Sequence, residues 1–262
     1  MPWISFDLDG TICDFPMYQA VFKSMRSHWP EEARTALGNL YQERLASNDP
    51  IQAFNWDEMN AVIAEKHNLE PLPDILEFAA RQHFDPALVY ADTQPALARL
   101  RAKGWQIACG TNGYAKYQAY ALERLEVQID AFLAPDTVGF AKPQAEFLRC
   151  LPNVTGDQSA LEGLIHVGDL LTQDVLAANR AGVTSAWVWR DMPEEILTIP
   201  AESRASDPRV ITKIGQLTEL EFDLHGRMVG SDSDVPPRPD FVVADLLELV
   251  ELLSTADRTD PN

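Results

Sequence analysis

Positive charge is scarce in this chain. Lys and Arg number 21 against 40 Asp and Glu in 262 residues, a formal charge of −19, and only six of the cations are Lys. Nucleic-acid binders neutralise phosphates with a basic surface, so the balance argues against that class. It argues equally against docking on anionic membranes. Long apolar runs are also missing: none reaches the roughly 18 residues that cross a bilayer. Met1-Pro2-Trp3 opens without the charged and apolar regions of a secretory signal. The three cysteines, Cys13, Cys109 and Cys150, are too few and too irregularly spaced for a disulfide framework or a zinc site. The expectation is a cytoplasmic protein with three reduced thiols. Hydrophobic residues make up 46% of the chain, enough for a sizeable core without staples. The length suits one large domain or a core carrying a smaller one.

Two kinds of organisation follow along the chain. Trp3-Ile4-Ser5-Phe6 is aromatic and β-branched and runs into Asp7-Leu8-Asp9-Gly10-Thr11, the pattern of a buried strand ending in a polar turn. From about Pro16 to His83 the apolar residues keep helical spacing. Met17, Val21 and Met25 form one stripe; Ala33, Leu37, Leu40, Tyr41 and Leu45 a second. Trp56, Met59 and Ile63 make a third, and Ile75, Leu76 and Ala79 a fourth, with Pro50, Pro71 and Pro73 between them. About four helices are expected there, and no strand.

Beyond that block, helix and strand alternate. A helix over Pro95–Lys103 stops at Gly104; strands are expected at Trp105–Cys109, Ala131–Ala134, Leu164–Val167, Ser185–Trp189 and Phe241–Ala244. Helices at Lys116–Leu125, Asp174–Arg180 and Leu246–Leu253 complete the alternation. It predicts an α/β fold, a Rossmann-like parallel sheet with helices on both faces. Nearly fifty residues between Met192 and Asp240 replace a short connection. The alternating Leu220, Phe222 and Leu224 predict a hairpin over Thr218–Val229, followed by a loop at Ser231–Pro239.

Ligands bind beyond the carboxyl ends of strands in such sheets. The strand ends supply Asp7 and Asp9, then Thr111, Asn112 and Gly113, and finally Asp169, while Lys142 follows the third strand. Asp7 and Asp9 lie two residues apart in extended chain and face the same way. With Asp169 they form a three-carboxylate cluster, which calls for a hard divalent cation, with Mg2+ the natural candidate. The Thr111 hydroxyl, the Asn112 amide, the N–H groups of the Gly113 turn and the Lys142 charge complement a phosphate. Singly, each has an ordinary reading. Thr111-Asn112-Gly113 would be a tight turn, Lys142 a surface cation, Asp174 a helix N-terminal acid and His166 a satisfied core histidine.

Asp7-Leu8-Asp9-Gly10-Thr11, Thr111-Asn112-Gly113, Lys142-Pro143 and Gly168-Asp169 with Asp174 occur in the order of the four motifs of the haloacid dehalogenase superfamily. The sequence resembles that superfamily in its aspartyl-phosphate phosphatase branch, over residues 1–15, about 90–190 and the last strand. The resemblance implies a core of residues 1–15 and 90–262, a helical C1-type cap at 16–89 and an atypical insertion at 192–240. It implies Asp7 as nucleophile and Asp9 as proton donor and acceptor, with Thr111, the Asn112 backbone, Gly113 and Lys142 on the phosphoryl group. It implies Mg2+ held by Asp7, the main-chain carbonyl of Asp9 and Asp169, with Asp174 orienting Lys142 or a metal-bound water. Leu170 departs from the pattern, standing where Ser or Thr is common. The implied function is Mg2+-dependent hydrolysis of a small phosphorylated metabolite by a monomer or homodimer, nucleotidase-like or broad in specificity. A dehalogenase is disfavoured because it needs neither a metal nor the acid at position 9. A phosphomutase and a non-catalytic phosphate-binding protein remain open, and the insertion is expected to form a flap or a dimer contact.

Overall fold

A computed structural model of the chain describes residues 1–47, 50–225 and 236–256. Among these, six parallel strands form one sheet: β1 Trp3–Phe6, β2 Gln106–Gly110, β3 Ala131–Leu133, β4 Ile165–Gly168, β5 Thr184–Val188 and β6 Phe241–Val243. Their order is β3-β2-β1-β4-β5-β6. Every residue of β1 is buried, as a strand covered on both faces requires. Side chains alternate between two cores. Ile4, Phe6, Ile107 and Cys109 point to one, and Trp3 and Ala108 to the other, which Phe147, Leu148, Ala177 and Ala178 complete. The order reverses between β1 and β4, so their carboxyl ends open a crevice at the topological switch point. The α/β reading with a parallel Rossmann-like sheet holds.

The alternating helices sit close to their expected places. One covers Thr93–Ala102, starting two residues before Pro95, and Gly104 follows it with φ +85°. The residue types explain that stop, because the left-handed conformation suits Gly. Cys13, Cys109 and Cys150 are free thiols. No helix among the described residues is long and apolar enough to cross a membrane.

Between β1 and β2 the chain is helical, as its periodicity predicts. Tyr18–Met25 is π- then α-helical, and helices follow at Glu31–Leu45, Trp56–Lys66 and Ile75–Ala79. Trp29, Ala33, Leu37, Met59 and Ile63 form a core of their own. Met17, Val21, Phe22 and Met25 instead join the core of the sheet.

The region after β5 corrects one expectation. Pro208–His225 is a single helix, so Thr218–His225 is not part of a hairpin; positions 226–229 and 231–235 lie outside the described residues. Asp207 accepts a hydrogen bond from the Arg209 N–H at 2.8 Å, a cap ahead of Pro208. Val210, Ile214 and Leu217 form the inner face, packed with Leu171, Val175, Trp187 and Val242, while Leu220 and Leu224 are exposed. The alternation of 220, 222 and 224 is therefore not a strand face: a helix turns about 200° between residues two apart, which sets Phe222 on a different side from Leu220.

Candidate active site

Three carboxylates converge beyond β1 and β4. One oxygen each from Asp7, Asp169 and Asp174 lies within 4.8 Å of the others. Two glycines make this approach possible. A Cβ on Gly10, where φ is +83°, would sit 2.3 Å from Asp169 Oδ2, and one on Gly168 would sit 2.0 Å from the Asp174 Cγ. Lys142 Nζ donates to Asp7 Oδ1 at 2.6 Å and to Asp174 Oδ1 at 2.5 Å, and all three side chains are almost sealed from water. One lysine against three acids leaves an excess of negative charge. Burial drives the Asp7 carboxyl up to about 7 against the pull of Lys142. It also drives Asp169 well above the usual range, with the charges of Asp7 and Asp174 adding to the effect. Asp174 goes the other way, to about 2: burial raises it, but Lys142 and His166 together outweigh that.

This corrects the predicted acid cluster. Its third side chain is Asp174, not Asp9. Asp9 Oδ2 accepts from Gln118 Nε2 at 2.8 Å, and its Oδ1 is buried without a partner. Burial raises the Asp9 carboxyl to about 6, with the Gln118 bond opposing the rise. Such a group exchanges a proton readily near neutrality.

Both oxygens of Asp174 are engaged. Besides Lys142 it accepts from the Leu170 N–H at 3.0 Å, and His166 Nε2 lies 3.2 Å from its Oδ1. Burial holds His166 below its ordinary pKa, and Nδ1 meets Ser5 Oγ at 3.2 Å. The contribution of Leu170 to this loop comes from its main-chain N–H.

Thr111 is buried, and its hydroxyl accepts from the Gly113 N–H at 3.1 Å. The Asn112 side chain is committed to holding the lysine loop, which corrects its reading as an amide that meets a phosphate. Its Oδ1 accepts from the Lys142 N–H at 2.8 Å, and its Nδ2 donates to the Lys142 carbonyl at 3.0 Å and to Gln173 Oε1 at 2.9 Å. Asp7, Asp9, Thr111, Asn112, Gly113 and Asp169 all line one cavity of about 500 Å3, whose far wall comes from the helical block. That volume suits a small molecule.

A family model for haloacid dehalogenase-like hydrolases matches residues 1–182. The chain belongs to that family. Among solved structures it is similar to a haloacid dehalogenase superfamily phosphatase from Thermococcus onnurineus at 22% identity, covering 97% of this chain and 98% of that one with TM-score 0.60. It is also similar to an L-2-haloacid dehalogenase from Xanthobacter autotrophicus at 20% identity, covering 96% and 98%, TM-score 0.58. A predicted phosphoglycolate phosphatase from Haemophilus somnus shares 16% identity over 96% and 97%, TM-score 0.51. At these identities the likeness is one of fold. No curated protein matches the chain.

Several residues of this hydrolase escaped the sequence reading. Gln118 lies on the buried face of the helix Ala115–Arg124 beside Tyr117 and Ala121, and a polar residue on an apolar stripe was its signal. Arg190, two residues after β5, donates to the carbonyl oxygens of Gly10 (3.1 Å) and Thr11, pairs with Asp92 at 3.1 Å and stacks 3.7 Å above the Tyr90 ring. It clamps the loop that carries Asp9. Glu221 accepts from the main-chain N–H groups of Leu171 (3.1 Å) and Thr172 (2.8 Å), tying the long helix to the turn that presents Asp174. Nothing in the sequence signals Gln173.

Proposed function

We propose that this hydrolase is a Mg2+-dependent phosphatase of small phosphomonoesters that works through a phosphoryl-Asp7 intermediate. The observation that carries the reading is the acid cluster at the switch point: the carboxylates of Asp7, Asp169 and Asp174 converge, Lys142 pairs with two of them, and Asp9 stands by with a carboxyl poised to move a proton. The donor set is hard oxygen, which fits Mg2+. Both oxygens of Asp174 already accept from Lys142, His166 or the Leu170 N–H, so Asp7 and Asp169 would hold the cation, with the Asp9 carbonyl as the family resemblance suggests. When bound, Mg2+ supplies charge that lets an anionic nucleophile meet an anionic phosphoryl group.

The chain's own groups do the rest. Asp7 forms a bond to phosphorus as the ester P–O bond breaks. Asp9 gives its proton to the departing oxygen, and its carboxylate then takes one from the water that attacks phosphorus and frees Asp7. Lys142, kept in place by Asp174 and Asn112, offers its charge to the phosphoryl oxygens together with the Thr111 hydroxyl and the Asn112 N–H, while the Gly113 N–H, predicted to join them, is spent on Thr111 Oγ1. Residues 16–89 serve as the cap that closes the cavity over the substrate and excludes bulk water.

The dehalogenase alternative has no use for Asp9, its Gln118 partner or a cation. The experiment that separates the readings is turnover of a panel of phosphomonoesters and of 2-haloacids, with and without Mg2+, beside Asp7→Asn. Mg2+-dependent phosphate release that disappears in the variant supports the proposal. Halide release without added metal, or ester hydrolysis persisting in Asp7→Asn, overturns it.

A further inference from the structure

The cavity that Asp7 lines is also lined by a cation with one unpaired donor, Arg26. Arg26 follows the first helical turns of the block, and its Nε donates to Asn60 Oδ1 at 3.0 Å. One terminal nitrogen of the same guanidinium is buried without a hydrogen-bond partner. Its carbon lies 4.7 Å from the centre of the Phe22 ring and 5.2 Å from that of Trp56. Tyr41 stacks on Trp56 with centroids 5.7 Å apart and planes 15° from parallel. Arg26, Phe22, Tyr41 and Trp56 all line the cavity that holds Asp7 and Asp9.

A structural arginine uses its donors, because leaving one buried and unpaired costs free energy. The charge pattern points the same way. The block, residues 16–89, contains eleven Asp and Glu against six Lys and Arg, yet among the described residues it sends two arginines and no acid to the cavity. The second, Arg34, is half-exposed and lies 4.0 Å from Glu31, so water and a neighbour already serve its charge. Arg26 is the desolvated one. Burial pulls it down to about 10, which leaves it positive at neutral pH.

We infer that Arg26 and the aromatic residues around it form a specificity subsite for the leaving group: a flat, apolar body bearing a carboxylate. The inference rests on the phosphatase reading, which places the phosphoryl group at Asp7. A single guanidinium matches the one charge and two coplanar oxygens of a carboxylate. The rings at Phe22, Trp56 and Tyr41 supply apolar area for the body between the two anionic ends.

The test pairs esters that differ only in that charge. Turnover with Mg2+ is measured for 4-carboxyphenyl phosphate, for its 4-(carboxymethyl) homologue and for the amide of each. Binding of 4-carboxybenzylphosphonate and its amide is measured by calorimetry, with no turnover needed. The wild type is expected to favour at least one acid over its amide by about tenfold in kcat/KM, and the acid phosphonate by about tenfold in Kd. Both ratios should fall to within about twofold of one in Arg26→Gln. Amides that serve the wild type as well as the acids overturn the inference without any variant, as does a preference that survives Arg26→Gln. Hydrolysis of esters without preference removes the subsite and leaves the phosphatase reading standing. A charge-selective phosphonate site with no ester hydrolysed removes the phosphatase reading instead.

Discussion

Replacing Lys142 by Met removes the cation that two buried carboxylates lean on while keeping a chain of similar length. Nζ lies 2.6 Å from Asp7 and 2.5 Å from Asp174, with the lysine side chain 2% exposed. Stranding one carboxylate in a buried pair costs about 3–5 kcal/mol. Asp7, already raised to about 7, escapes part of that loss by taking a proton, which brings the expected cost for the metal-free protein at pH 7.5 to about 3 kcal/mol. Urea unfolding with chelator present reads it. Asp174→Asn and the double variant complete a cycle, and because the groups touch, their coupling should be about 1–3 kcal/mol. The pH dependence has a definite sign. Asp174 is lowered from 3.8 to about 2, so its contribution is present above pH 3.8 and lost as pH falls through 2. That shift corresponds to about 2 kcal/mol, and it should vanish in Lys142→Met. A cost below about 1 kcal/mol, or additivity within about 0.5 kcal/mol, would refute the shared-cation reasoning.

Three further outcomes are expected. Glu221 is raised from 4.5 to about 7, chiefly by burial, so its contribution is full below pH 4.5 and lost as pH rises through 7. Its partial exposure limits this to about 1–2 kcal/mol, and Glu221→Gln should flatten that slope in thermal melts; an unchanged slope contradicts it. Gly10→Ala meets both a positive φ and Asp169, so calorimetry should show Mg2+ affinity down at least about tenfold, with a stability loss of about 1–2 kcal/mol; unchanged affinity contradicts the close approach. Asp9→Asn should slow esters with poor leaving groups far more than activated aryl esters. Equal slowing across a leaving-group series would remove Asp9 as the proton donor.

Strand ends and helix periodicity were legible in the sequence because each has a local cause. An apolar run stopping at Asp7 or Asp169 marks a buried strand reaching the rim, and Gly104 marks a helix end. Residues that act across the fold left weaker traces. Gln118 reaches Asp9 and Asn112 reaches Lys142 only because the sheet order places β1, β2 and the lysine loop together. The hairpin at Thr218 failed for a related reason. Alternation at 220, 222 and 224 outweighed the wider spacing of Val210, Ile214 and Leu217, although the latter face is the one that meets the core. Asp174 was read as an aid to Lys142 and is found bonded to it, but nothing local showed that its carboxylate, rather than that of Asp9, would complete the acid cluster.

The proposed function depends most directly on Asp7 becoming covalently phosphorylated. Acid-quenching the protein during turnover of a phosphomonoester with Mg2+, then reducing with borohydride, converts an acyl phosphate to its alcohol, and peptide mass spectrometry reads the position. The account predicts homoserine at residue 7, dependent on both Mg2+ and ester. Continued phosphate release with residue 7 always recovered as Asp, or with the label at another carboxylate, would contradict it.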